Sequence, residues 1–402
     1  MQIYRNYKFR LCPTKSQIDL LNLHFFLSNQ AWNSTLAQKM LDLKENANLP
    51  KADRAFKKDK NIEQAMKEEL KARGFKPHSG IVQESFKSMK KSLKTIYSKK
   101  NDGVGRVGFP KFKSSKGIEQ SFYFKNQGIS WTESHFKILK NQISWKLHRN
   151  IPNSAKLNGV VVKREADGKF FVILNMTLTD NNQYPKSGVE CALDMNIKNI
   201  AISDSSGQRR LIRLEDFSKS KYSKNLKKVQ KKLSKRYKNK VFSKNTKRLQ
   251  RKSNKLYKKI KNKKEDFFHK LSNQLTNQYD QISIENLEIK PMKESKSTAL
   301  NRLISDVSWN SLIQKLKYKS EMKNKLIREL NPAFSSQRCF KCGSISKNNR
   351  KSQSDFSCKN CGYTTNADLN AADNLLNYQK WSLEQTTLIS SWNQNLCIEN
   401  VD

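Results

Sequence analysis

Between Phe217 and Lys264 the chain carries twenty-two lysines and arginines and no aspartate or glutamate. Such a stretch has no route into a core, because an unpaired buried cation costs several kcal/mol. Yet Leu226, Val229, Leu233 and Tyr237 recur at helical spacing, and Leu249, Leu256 and Ile260 do so again. Two basic helices joined near Lys240–Asn245 satisfy both constraints. A disordered basic tail would have no reason to keep an apolar stripe. The same sign prevails along the whole chain, with 79 Lys and Arg against 35 Asp and Glu and a net charge of +44. A surface this basic repels itself unless it meets a polyanion, so the charge points to a nucleic-acid partner. Ribosomal or chromatin-like packing is the plainer reading of the charge alone.

No stretch approaches the ~20 consecutive apolar residues that cross a bilayer. The N-terminus, MQIYRNYKFRLCP, lacks the apolar centre of a signal peptide. The seven cysteines are Cys12, Cys191, Cys339, Cys342, Cys358, Cys361 and Cys397. Four share one window with metal-site spacing and three are scattered singly, which suits a reducing cytoplasm and not a disulfide scaffold.

Residues Tyr4 to Leu11 alternate in character and read as a strand stopped by Pro13. From Ser16 to Leu43 the apolar positions fall at helical spacing, and charged helical segments continue to about Lys99, including Ser79 to Leu93. After a Gly-rich turn at Asn101–Gly108, the runs QSFYF, ISW, QISW, GVVVK and FFVILNMTL predict strands of a small barrel or sheet. Asp180-Asn181-Asn182 marks a boundary. Beyond it, Val189–Asp194 (VECALD) reads as a buried strand, followed by a second strand and a turn at Asp204-Ser205-Ser206-Gly207. Gln281–Ile289 (QISIENLEI) predicts another buried strand, and a long helical pattern runs from about Leu300 to Leu330.

Two constellations carry chemistry. Cys339-Phe340-Lys341-Cys342-Gly343 and Cys358-Lys359-Asn360-Cys361-Gly362 are C-x-x-C knuckles separated by fifteen residues. Each knuckle aims two thiolates at one point, and four soft donors make a closed tetrahedral zinc site whose role is structural. The second is dispersed. Asp194 ends the strand VECALD, Glu285 lies in QISIENLEI, and Asp368 opens the helix Asp368-Leu369-Asn370-Ala371-Ala372. A carboxylate in an apolar strand is costly unless a cation or hydrogen bonds compensate it. Three of them converging would hold a pair of Mg²⁺ ions of the kind that hydrolyse phosphodiesters. Taken singly each has a plainer reading, and Asp368 would serve as a helix cap.

At these residues the chain resembles a known family. LDMNIKNIAISDSSG is similar to the first RuvC motif of TnpB proteins, nucleases of IS200/IS605- and IS607-type insertion sequences related to compact type V CRISPR effectors. ISIENLEIKPM resembles the second motif, and SSQRCFKCG…FSCKNCGYTTNADLNAADNLL resembles the zinc ribbon running into the third. YKFRLCPTKSQ, GFPKFK, the basic helices ending at Asp266-Phe267-Phe268-His269-Lys270, and Trp309 before LKYKSEMK follow the same layout.

The resemblance implies a mixed α/β and β multidomain fold: an RNase H-like RuvC core with an inserted zinc ribbon, plus an N-terminal wedge-like β-domain with a helical recognition insert. It implies residues 1–15 and 100–182 for the wedge, 16–99 for the insert, 183–334 and 363–380 for the nuclease, 335–362 for the ribbon and 381–402 for a tail. The basic helix pair would span 217–278. Asp194, Glu285 and Asp368 carry over as the catalytic triad on two Mg²⁺ ions, and Cys339, Cys342, Cys358 and Cys361 as ligands of one Zn²⁺. The activity implied is RNA-guided, metal-dependent DNA endonuclease, with a guide RNA from the element's end. Double-stranded target DNA is recognised beside a short motif. The chain would act in a bacterial or archaeal cytoplasm, as a monomer on its RNA and away from membranes. A guided repressor with weak cleavage and an unguided transposase- or resolvase-type nuclease remain alternatives. Two departures stand out: Asn196 replaces a common Gly, and Asn366-Ala367 replaces an acidic residue followed by Arg. The aromatics of Phe109–Phe112 and Gln120–Phe124 are candidates for stacking on unpaired bases or for core packing.

Overall fold

The computed structural model describes residues 2–50, 59–75, 78–101, 108–179, 184–214, 220–286, 309–331 and 334–378, apart from 116, 126–127, 198, 241–242 and 353. The chain divides into two compact units, Met1–Asn181 and Asn182–Asp402. Expectations for 102–107, for 300–308 and for the tail from 381, Cys397 included, lie outside the described residues.

The first unit is built on a seven-stranded sheet. Strand β1 (Gln2–Leu11) buries Ile3, Tyr7, Phe9 and Leu11 and pairs antiparallel with β7 (Phe170–Thr179) along its whole length. The other strands are β2 (Gln120–Phe124), β3 (Ser130–Trp131), β4 (His135–Ile138), β5 (Asn141–Lys146) and β6 (Lys156–Arg164). Their order is β2-β6-β7-β1-β5-β4-β3. Sequence reading passes over β4. Its hairpin to β5 turns on Leu139 and Lys140, both at positive φ, in a two-residue loop closed by the Ile138–Asn141 pair. That turn ordinarily announces itself with Asn-Gly, and here two ordinary side chains accept the strained backbone.

Helix α1 (Lys15–Glu45) starts on a capping box between Thr14 and Gln17. It packs Leu27 and Ala31 against Met66 and Leu70 of α2 (Asp59–Ala72) and Val82 of α3 (Ser79–Asn101). Trp32 and Leu36 meet Met89 and Leu93 one turn further on. The extended segment at 108–115 is fastened along α1. Trp32 Nε1 donates to the Lys111 carbonyl (3.1 Å), and Asn33 exchanges two hydrogen bonds with the Lys113 backbone. Phe109 and Phe112 stay exposed, whereas Phe122 and Phe124 of β2 lie in the sheet core. The two aromatic candidates therefore part: β2 is core.

The second unit centres on a five-stranded sheet of β8 (Glu190–Met195), β9 (Asn199–Asp204), β10 (Arg209–Arg213), β11 (Gln281–Glu285) and β12 (Leu326–Leu330), ordered β10-β9-β8-β11-β12. The first three run antiparallel as a meander, while β11 lies parallel to both β8 and β12. Between β10 and β11 come α4 (Lys221–Lys238) and α5 (Lys244–Gln278), turning at Lys240, which takes a positive φ. α4 buries Leu226, Val229 and Leu233, and its lysines face outward. α5 carries its basic half away from the sheet and roots its other half through Phe268, Leu271 and Leu275, directly before β11. Helix α6 (Trp309–Met322) lies on α5, with Lys315 on Glu265 (2.6 Å) and Lys323 on Thr276 (2.8 Å).

The long helix expected to reach Leu330 is corrected here. The helix stops at Met322, Asn324 turns the chain at positive φ, and Leu326–Leu330 forms edge strand β12. The order Leu-Ile-Arg-Glu-Leu suits a helix face locally, and pairing with β11 overrides it.

Candidate metal centres

Strand β8 places Asp194 and strand β11 places Glu285 by register. Leu193 pairs with Ile284 in a parallel ladder, so the next residues, Asp194 and Glu285, sit side by side on one face. Neighbouring strands lie about 4.8 Å apart, too close for two bare carboxylates at ease. Asp368 arrives from helix α7 (Ala367–Leu376), which packs on β8 and β9. All three carboxylates are buried, at 7%, 7% and 6% exposure.

Burial pushes the Asp194 carboxyl up to about 8. Glu285 and Asp368 add repulsion, while the Asn196 amide and Arg350 draw it back. Burial likewise raises Glu285, against the Ser335 hydroxyl. A carboxyl held this far above its ordinary range lacks a counter-charge of sufficient strength. Asp194 and Glu285, both raised by burial, are hard oxygen donors of the kind a divalent cation takes. A buried acceptor adds to the fit: Asn199 Nδ2 donates to Asp368 Oδ2 (2.9 Å), and Asn199 Oδ1 has no partner among the described residues.

Helix α7 does not use Asp368 as its cap. Asn366 does that, accepting from the backbone N–H of Asp368 and of Leu369 (3.0 and 3.2 Å), so the Asp368 side chain is released to the cluster. Asn196 also has a use, donating to Asp194 Oδ2 at 2.7 Å from a backbone outside the left-handed region. Sequence reading missed three neighbours. Arg350 donates to Asp368 Oδ1 (3.3 Å), Ser335 to Glu285 Oε1 (2.9 Å) and Asn199 to Asp368. Arg350 and Ser335 stand inside and just before the cysteine window, and no local pattern marks them.

The four cysteines form the second centre. Cys339, Cys342, Cys358 and Cys361 place their sulfurs within 4.8 Å of one another, the only such group of three or more potential ligands among the described residues. Sγ of Cys339 and Cys361 are 3.7 Å apart, and those of Cys342 and Cys358 are 3.6 Å apart. A tetrahedron with zinc–sulfur bonds of about 2.3 Å has edges near 3.8 Å, so the donor set fits zinc. Gly343 and Gly362 close the knuckles at φ +77° and +70°, and their N–H groups donate to the carbonyls of Cys339 and Cys358. Although burial opposes it, the Ser344 N–H and the neighbouring thiols bring Cys342 down to about 6. Strands β13 (Asp355–Ser357) and β14 (Thr364–Asn366) pair on either side of the second knuckle, and β14 runs directly into α7. Arg209 of β10 holds this region to the sheet, donating to Tyr363 Oη (3.1 Å) and forming an ion pair with Asp373 (2.9 Å). No described helix is long and apolar enough to cross a membrane.

Three family profiles match the chain. A helix-turn-helix domain profile covers residues 1–47, a probable transposase profile covers 173–296, and a Cas12f1-like TNB domain profile covers 309–375. The first of these spans strand β1 and the single 31-residue helix α1. A putative RNA-guided DNA endonuclease, InsQ of Escherichia coli K12, is 29% identical over 73% of this chain and 73% of its own length. The TnpB-like protein MJ1635 of Methanocaldococcus jannaschii is 26% identical over 48% of this chain and 44% of its own. The fold is similar to the protein of a Cas12f1–sgRNA–target DNA complex, with a TM-score of 0.63 at 12% identity, covering 93% of this chain and 99% of that one. By its ordered motifs, its transposase and TNB profiles and a TnpB-like relative over about half its length, this chain is similar to the TnpB family.

Proposed function

We propose that the protein is an RNA-guided DNA endonuclease whose RuvC-type, RNase H-like site is Asp194, Glu285 and Asp368. The observation that supports the reading is the burial of carboxylates on β8, β11 and α7, with Asp194 and Glu285 adjacent by strand register and with Glu285 and Asp368 both near enough to repel Asp194. Support for the substrate comes from relatives named RNA-guided DNA endonucleases and from the basic surface of α4 and α5. Phosphate neutralisation by those lysines gives affinity without sequence choice, leaving base pairing with a guide to choose the target.

In this reading Asp194, Glu285 and Asp368 hold two Mg²⁺ ions, and Cys339, Cys342, Cys358 and Cys361 hold one Zn²⁺. Bound magnesium supplies the Lewis acidity that activates water and steadies a leaving oxygen. The chain's own residues do the rest. Asn196 fixes the Asp194 carboxylate, Ser335 fixes Glu285, and Asn199 and Arg350 fix Asp368. The guanidinium of Arg350 also brings positive charge to where a scissile phosphate would lie.

The first unit, with its sheet and helices α1–α3, takes the wedge and recognition roles and reads a short motif beside the target. Exposed Phe109 and Phe112, on a segment held rigid by Trp32 and Asn33, are placed to stack on unpaired bases there. The guide RNA derives from the element's end, and the protein acts as a monomer on it.

The test is cleavage of a plasmid bearing the matched target, with Mg²⁺, by protein purified with its RNA. Wild type cuts and Asp194→Ala does not, and the bound RNA has a defined sequence. Equal inactivity of the two would leave a guided DNA-binding protein, and full activity without RNA would leave an unguided nuclease.

A further inference from the structure

We propose that Asn370 and Asn374 are positioning residues that couple the zinc ribbon to the catalytic carboxylates. This coupling rests on the reading of those carboxylates as metal ligands. Both asparagines lie on α7, one turn apart, at 0% and 4% exposure. Asn370 Nδ2 donates to the Arg338 carbonyl (2.8 Å), and its Oδ1 accepts from the Phe340 N–H (3.1 Å). Its amide thus grips the backbone on both sides of Cys339.

Asn374 donates twice, to the carbonyls of Ser335 (2.9 Å) and Arg338 (2.8 Å). Its own Oδ1 is buried with no partner among the described residues. An unsatisfied buried acceptor is costly, so this amide is retained for what it donates.

The clasp ends at the active site. Ser335, held by Asn374, donates to Glu285 Oε1. Asp368 lies on the same helix, two residues before Asn370, and its Oδ1 accepts from Arg350. Arg350 is fixed in turn by buried Asn349, whose Nδ2 donates to the carbonyls of Gln337 and Ser344 and whose Oδ1 accepts from the Lys359 N–H. Closing the four-cysteine cluster therefore sets the 335–338 backbone and residue 350 together. Those two segments orient Glu285 and Asp368. Groups that orient metal ligands change metal affinity by about 10–100-fold when removed.

The experiment compares wild type, Asn374→Ala and Ser335→Ala, with Asp194→Ala as reference. Zinc content, Mn²⁺ affinity of the full-length protein by electron paramagnetic resonance, and Mg²⁺ dependence of target cleavage are measured. Ser335→Ala removes only the terminal hydroxyl of the relay and leaves the ribbon backbone bonded. The expected result is one zinc per chain in both variants, Mn²⁺ affinity weakened about 10–100-fold, and the Mg²⁺ needed for half-maximal cleavage raised by the same factor. Unchanged Mn²⁺ affinity and Mg²⁺ dependence in both variants overturns the proposal. If Asn374→Ala loses its zinc, Ser335→Ala decides: weakened Mn²⁺ binding upholds the relay and unchanged binding removes it. Asp194→Ala separates the two levels. If it binds Mn²⁺ like wild type, the carboxylate reading fails and the relay falls with it; if it does not, a negative result belongs to the relay alone.

Discussion

The two candidate metal centres solve opposite problems. The cysteine cluster draws all four donors from one stretch, Cys339 to Cys361, folded back on itself by two glycine-closed knuckles. Its sulfurs are already spaced as zinc requires. The candidate carboxylate site draws its donors from residues 194, 285 and 368, on two strands and a helix, and places Glu285 and Asp368 near enough to repel Asp194. A closed set of soft donors stabilises a fold, whereas an open set of hard donors, held uncomfortably close, is organised to receive a cation and a substrate. Donor spacing along the chain thus follows what each centre is for. It is local where four thiols can staple the fold and dispersed in the site proposed for chemistry.

Experiments that act on one centre and spare the other test that contrast. The largest effect belongs to Asp194→Ala, expected to lower target cleavage by more than about 10³-fold while zinc content and RNA binding stay at wild-type levels. Loss of zinc alongside activity would mean that the centres are not separable in that direction. Cys358→Ser should act the other way round, releasing zinc, lowering the melting temperature by several degrees and reducing cleavage about 10–100-fold through disordered support of Glu285 and Asp368. Metal analysis and thermal melts on the same preparation check it.

Arg350→Ala should raise the Mg²⁺ required for cleavage and slow the reaction about tenfold or more, with target binding retained in a mobility-shift assay. Unaltered Mg²⁺ dependence would show its contact with Asp368 to be incidental.

The smallest effect is in stability against pH. Folded Asp194 keeps its proton up to about pH 8, whereas an unfolded aspartate releases it near pH 4. The folded state thus binds the extra proton between those values, and stability in magnesium-free buffer falls as pH rises through that window. Asp194→Asn should flatten the slope and raise the melting temperature by a few degrees at pH 8, with little change at pH 4. A slope unchanged by the substitution would contradict the crowding of the carboxylates.

Legibility in the sequence follows the same division. The knuckles and the α4–α5 stripe can be read because their partners lie within a few turns of one another. Asp194 and Glu285 can be singled out because a charge inside VECALD or QISIE breaks an apolar pattern. Arg350, Ser335 and Asn199 cannot, since each is an ordinary polar residue until tertiary structure brings a carboxylate to it. The same holds for β12, whose five residues suit helix and strand alike until β11 offers a ladder. Asn366 reads as a loss relative to the family pattern, and the structure gives it the capping role that frees Asp368.

Helix α5 has one more consequence. Its 35 residues make a rod about 50 Å long, rooted in the sheet core through Phe268, Leu271 and Leu275 at one end and packed along α4 over its basic half. Tyr279 and Asp280 separate that anchored end from the strand bearing Glu285. A stiff beam clamped at one end converts a slight sideways pull at its tip into a bending moment at its base. A polyanion gripping the distant lysines would therefore load the short junction to β11 without touching it.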